Sequence, residues 1–217
     1  MAIPVLIMGK SGTGKSYSLL NCVDNDNWQL IKVLGKPLPF RGKIAETCTT
    51  DNYKAVSAAL KNSKANSAVI DDAGYLITNQ FMRNHAGGTG NAVFTMYNKL
   101  ADNFWRLIDW VITLPEDKIV YVIMHEDRND FGDIKPKTIG KLLDEKVCIE
   151  GMFTIVLHSV QRDGGYYFVT QSADGAVSKS PVGMFNSLEI DNDITIVDRA
   201  IRDYYEMTEK EEKTNDK

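Results

Sequence analysis

Residues 3–16 read Ile3-Pro4-Val5-Leu6-Ile7-Met8-Gly9-Lys10-Ser11-Gly12-Thr13-Gly14-Lys15-Ser16. An apolar run leads directly into Gly9-Lys10-Ser11-Gly12-Thr13-Gly14-Lys15-Ser16, which satisfies the pattern G-x-x-x-x-G-K-[ST] in full. The run has the composition of a buried strand, and residues 15–22 are compatible with a helix. Strand, glycine-rich turn and helix together form the context in which this pattern holds a polyphosphate. Gly9, Lys10, Ser11, Gly12, Thr13 and Gly14 would turn backbone N–H groups toward the anion, aided by the positive end of the following helix. Lys15 would reach the β- and γ-phosphates, and Ser16 would ligate Mg²⁺. Tyr17 completes the candidate nucleotide-binding set.

Beyond this loop, strand and helix patterns alternate. Residues 28–33, 43–46, 67–70 and 119–124 have strand composition, and 119–124 is continuously apolar, as in a strand buried on both faces. Helices are expected over 53–61, capped by Asp51, over 94–113, where apolar residues recur at helical spacing, and over 137–146. Pro37 and Pro39 exclude regular structure from 36–40. Residues 81–91, with Gly87-Gly88-Thr89-Gly90, read as a mobile loop. Strands at 152–157 and 166–170 flank the turn signal Asp163-Gly164-Gly165. The alternation predicts an α/β three-layer sandwich with a mostly parallel central sheet and an antiparallel edge hairpin. We expect one domain over residues 1–205 and a polar, aperiodic and disordered tail over 206–217.

Composition narrows the partners. The chain has 217 residues, 43% hydrophobic and 25% charged, which is ordinary for a soluble globular protein. With 25 Lys plus Arg against 29 Asp plus Glu, the formal charge is −4, so no global field draws it to DNA or an anionic membrane. Any nucleic-acid contact is expected to be a local patch or to pass through another protein. Cys22, Cys48 and Cys148 lack metal or redox spacing, which suits a reduced cytoplasmic protein. The N-terminal apolar run is too short for a signal core or a membrane span.

Three further elements fit a phosphate site. Ala68-Val69-Ile70-Asp71-Asp72 resembles a Walker B element, with Asp71 holding Mg²⁺ and Asp72 polarising an attacking water. Read alone, Asp71-Asp72 is equally a solvated turn or a cap. Glu46, at the end of the strand 43–46, is either a general base or a surface carboxylate. His125 ends the apolar strand, where it would either sense the γ-phosphate or be merely hydrogen-bonded. Arg128, Lys135, Lys137, Lys141 and Arg162 are candidates for a cation supplied across a subunit interface, or are solvating surface charges.

In order along the chain, 5–16, Val69-Ile70-Asp71-Asp72-Ala73, Ile134-Lys135-Pro136-Lys137-Thr138-Ile139-Gly140-Lys141 and Ser178-Lys179-Ser180-Pro181-Val182-Gly183-Met184-Phe185 resemble the small AAA-type, RecA-like P-loop ATPases of bacteriophages and prophages, among them minimal recombinases that assist single-strand annealing. The resemblance spans about residues 3–205. It implies a RecA-type core, ATP with Mg²⁺, self-association with nucleotide between subunits, and action in phage DNA recombination or replication. Single-stranded DNA or a single-strand-binding protein would then be partners, in the host cytoplasm. Lys15, Ser16 and Asp71 carry over directly, and Glu46 and His125 by position. The Asp-Asp pair departs from the Asp-Glu of typical AAA+ machines, which favours a base on another strand. Residues 83–90 are a candidate DNA contact or an ordinary exposed loop. Two other functions fit a phosphate loop: a small-molecule or nucleoside kinase, which needs lid arginines, and a nucleotide-gated assembly partner with little turnover.

Overall fold

The computed structural model describes residues 1–87, 90–129, 132–172 and 175–207. Its frame is a nine-stranded sheet: β1 (Ile3–Gly9), β2 (Trp28–Lys32), β3 (Glu46–Thr49), β4 (Ser67–Asp71), β5 (Ile119–Arg128), β6 (Ile134–Pro136), β7 (Ile155–Arg162), β8 (Gly165–Val169) and β9 (Glu189–Asp191). The order is β3-β2-β4-β5-β1-β7-β8-β9, with β6 paired antiparallel to β5. From β3 through β7 all pairs are parallel, and β7-β8-β9 close the other edge antiparallel.

Alternation along the strands sorts side chains onto two faces. Leu6, Met8, Ile31, Ile70, Val122 and Met124 join one core, under α1 (Tyr53–Asn62), α2 (Gly74–Asn84) and α3 (Asn91–Val111). Val5, Ile7, Leu30, Val69, Tyr121 and Ile123 join the other, under α4 (Ile194–Tyr204) and the 3-10 turn Tyr17–Cys22. The chain is therefore α/β with a mostly parallel sheet covered on both faces. Ile119 to Met124 of β5 have no exposed surface, because β5 runs between β1 and β4 in the middle of the sheet. Each aliphatic side chain so buried contributes about 1.5–3 kcal/mol before conformational entropy is set against it. Among the described residues no helix is long and apolar enough to cross a membrane.

Helix α4 is tied down by a polar knot. Ser67 Oγ donates to Asp198 Oδ1 at 2.6 Å, and Arg202 Nε donates to Asp198 Oδ2 at 3.0 Å. Arg202 also donates to the carbonyls of Asp117 (3.1 Å) and Asn66 (3.2 Å) and to Ser67 Oγ (2.9 Å). One guanidinium thus joins α4, the start of β4 and the turn before β5.

Several expected elements shift. The segment after the glycine-rich loop is a short 3-10 turn, Tyr17–Cys22, and not an α-helix; Asn21 Nδ2 donates to Asp193 Oδ2 (2.7 Å), and beyond the turn Asn25 Oδ1 accepts from Asn27 N (3.0 Å). The third strand starts at Glu46, where it had been expected to end. The cap of α1 is Asn52, whose Oδ1 accepts from Lys54 N and Ala55 N, while Asp51 binds Asn79 and Arg83. The expected loop 81–91 is helical through Asn84, with a 3-10 turn His85–Gly87, and α3 already begins at Asn91. Gly88 and Thr89 lie outside the described residues. The expected helix 137–146 contracts to one wide turn, Leu142–Lys146. Gly140 breaks it with φ 98°, and a Cβ there would come within 2.9 Å of the Tyr97 ring. Of the expected tail, Met207 packs on the second core and its N–H donates to Arg202 O at 2.9 Å. Residues 208–217 lie outside the described residues.

Candidate phosphate-binding site

Ligands of open parallel sheets bind beyond the carboxyl ends of the strands, and four such ends meet here. The loop after β1 carries Lys15 and Ser16, and the connection after β2 carries Lys36. Asp71 and Asp72 end β4, and His125 lies in β5 opposite Gly9. Between them is a cleft of about 570 Å³ lined by Ser11, Gly12, Gly14, Lys15, Ser16, Tyr17, Lys36, Pro37, Pro39, Asp71, Asp72, His125 and Tyr166. A larger hollow, about 1020 Å³, opens at the opposite end of the sheet around Met1, Ile3, Pro4 and Pro115. It is lined by none of residues 9–16.

The loop is held in shape by contacts within the chain. Gly14 has φ 93°, and a Cβ there would lie 2.8 Å from the Tyr166 ring, so only glycine lets the ring close over the turn. Thr13 Oγ1 donates to Lys10 O (2.9 Å), and Ser159 Oγ of β7 donates to Thr13 O (2.7 Å). Asn192 Nδ2 in turn donates to that serine (3.2 Å). The Tyr17 and Tyr166 rings stand 5.3 Å apart at the mouth of the cleft. The following turn is only six residues of 3-10 helix, so a helix macrodipole adds little at this end of the loop.

Lys15 is buried, and its ammonium folds back to donate to Gly9 O (2.8 Å) and Lys10 O (2.6 Å). Burial lowers its pKa to about 8, partly offset by the charges of Asp72, Glu126 and Asp71. Ser16 Oγ donates to both Asp71 oxygens, at 2.9 and 3.2 Å. Burial and the charge of Asp72 push the Asp71 carboxyl up to about 6. Asp72, 4% exposed at the side chain and with φ 59°, is ion-paired to Lys36. His125 Nε2 lies 3.5 Å from Asp72 Oδ1, and burial and the charge of Lys15 lower its pKa, leaving it neutral at pH 7.

Of the expected site residues, Gly9 to Tyr17, Asp71, Asp72 and His125 come together. Glu46 does not. It is in register with Gln29, whereas Asp71 is in register with Lys32, three residues nearer the carboxyl edge. Both its oxygens are engaged, accepting from Gln29 Nε2 (2.9 Å) and Ser63 Oγ (2.6 Å). The proposed general base is thereby corrected: a strand that starts at residue 46 puts this carboxylate at the opposite end of the sheet from the cleft. Of the candidate interface cations, Lys137 acts electrostatically on His125, and its N–H donates to His125 O at 2.8 Å. Arg162 pairs with Glu189 at 3.1 Å.

Lys36, Tyr166 and the Glu126–His158 pair, 2.5 Å apart, were not anticipated. Lys36 follows a strand adjacent to the Asp71 strand, and the convergence of such loops at the carboxyl edge was the signal that could have found it.

The residues present fit Mg²⁺ with a phosphate anion. Mg²⁺ takes hard oxygen ligands, one or two from protein, and keeps water and phosphate for the rest; Ser16 and Asp71 supply that set. No family model matches this chain, and no curated protein matches it.

Proposed function

We propose that this chain is a Mg²⁺-dependent ATP-binding protein and ATPase with a RecA-like P-loop core. The observation that carries the reading is the convergence of Lys15, the Ser16–Asp71 pair, Asp72 and His125, from separate strand ends, on one cleft. Lys15 and the loop amides would hold the β- and γ-phosphates, and Ser16 and Asp71 the metal, which neutralises charge developing on the phosphates. With Glu46 remote, Asp72 is the carboxylate in place to orient a water, and neutral His125 stands beside it as a hydrogen-bonding partner. Among the described residues the cleft lining contains no arginine, which speaks against a kinase clamping an acceptor with lid arginines.

The resemblance of the P-loop, Walker B, 134–141 and 178–185 segments supports a role in phage DNA recombination, annealing or replication. Self-association with nucleotide between protomers rests on the same ground. Turnover of ATP with and without single-stranded DNA tests it, with stimulation by DNA expected. Binding without turnover under either condition would instead favour a nucleotide-gated assembly partner. One observation favours that second reading: Asp72 is already engaged by Lys36.

Two predictions arise from the site. Asp71→Asn should erase the gain in ATP affinity that Mg²⁺ brings, leaving magnesium-free binding little changed; equilibrium titration with and without the metal checks this. Lys15, held near 8, is largely neutral above that pH in the free protein, and phosphates favour its charged form. ATP binding at about pH 8.5 should therefore take up a proton, and affinity should fall up to about tenfold per pH unit above 8. Calorimetry in two buffers of different ionisation heat reads the proton; heats independent of buffer would contradict it.

A further inference from the structure

We infer that Lys36 is a γ-phosphate-binding cation supplied from within the same chain, and that its ion pair with Asp72 is exchanged for the ligand when a triphosphate binds. The inference rests on the nucleotide reading above.

The two partners differ in freedom. The Asp72 side chain is 4% exposed and fixed at the end of β4, whereas that of Lys36 is 50% exposed. Pro37 restrains the main chain beside it, so the flexible part is the four-carbon stem of the lysine. Lys36 lines the same cleft as Lys15, and its charge acts on Lys15, Asp71 and His125. The ammonium thus stands within the electrostatic reach of Lys15, Asp71, Asp72 and His125.

Position along the ligand follows from the order of the loop. Glycine-loop amides cradle the α- and β-phosphates, and the Ser16–Asp71 pair marks the metal that bridges β and γ. Asp72 is the residue after Asp71, so its lysine partner stands beside the pair that marks the metal and the β- and γ-phosphates it bridges. Within the cleft Lys15 and Lys36 balance Asp71 and Asp72. A bound triphosphate adds negative charge beside Asp72, and Lys36, already paired there, is the lysine of the cleft lining placed to turn toward it. Asp72 then keeps an acceptor oxygen for water. Diphosphates, which lack the terminal group, leave the Lys36–Asp72 pair intact.

Lys36→Gln tests this by calorimetry with Mg·ADP and with a non-hydrolysable Mg·ATP analogue. Loss of one charge-assisted bond should weaken the ATP analogue about 10- to 100-fold and leave ADP within about twofold. Lys36→Arg, which keeps the charge, should recover most of the loss. Equal weakening of both ligands, or of neither, would overturn the assignment. If the unmodified protein binds neither nucleotide, the phosphate-loop reading falls and this inference with it; if it binds both and the variant fails to discriminate, only the inference falls.

Discussion

Lys15→Ala is expected to lower affinity for Mg·ATP by at least about 30-fold while leaving the protein folded. The size follows from truncating one partner of a desolvated charge pair, about 2–5 kcal/mol, at 1.4 kcal/mol per tenfold. The fold should survive because the buried ammonium works against it. Its pKa falls from 10.5 unfolded to about 8 folded, so the unfolded chain binds the proton more tightly. The penalty is present in full below pH 8 and fades between 8 and 10.5. At pH 7 the alanine variant should therefore melt at the same temperature as the unmodified protein or higher, and should lose the stabilisation that nucleotide gives. Thermal melts with and without Mg·ATP separate the two effects. A variant that melts lower but still gains stability from nucleotide would contradict the role given to Lys15.

Asp198→Ala should cost about 3–5 kcal/mol, since it leaves the Arg202 guanidinium partly buried without its carboxylate. The knot lies at the amino end of β4, so a folded sample of this variant should bind nucleotide with nearly unchanged affinity. Urea titration gives the first number and calorimetry the second. An unchanged urea midpoint would show that the knot is ornamental. Burial raises the Asp198 carboxyl above the usual range, opposed by Arg202 and Ser67. A raised folded-state pKa means that this group favours folding most at low pH and loses that contribution as pH rises, so mild acid should not release α4 through it.

The glycine-rich turn after β1 and the strand carrying Asp71 were legible because their signals are local. A fixed spacing of glycine, lysine and serine, and apolar runs ending in acid, need no knowledge of distant contacts. The same holds for β5, whose unbroken apolar run predicts burial on both faces. Glu46 was misread because a short strand has weak boundaries. A shift of three residues carries a side chain from one end of the sheet to the other. Lys36 was invisible because its partner is 36 positions away and nothing in Gly35-Lys36-Pro37 announces an ion pair. The helix expected over 137–146 failed at Gly140, where the Tyr97 ring of α3 occupies the space of a side chain. Helix α4 was passed over because its stripe of Ile194, Val197 and Ile201 is short, and its anchor, Arg202, finds partners only in the folded sheet.

Titration of the unmodified protein with Mg·ATP is the most direct test of the cleft as a triphosphate site. Saturable binding is expected at or below about 1 mM, in the range typical of enzyme substrates, with inorganic tripolyphosphate competing for the same site. Folded protein that shows no saturable heat at millimolar Mg·ATP would contradict the account.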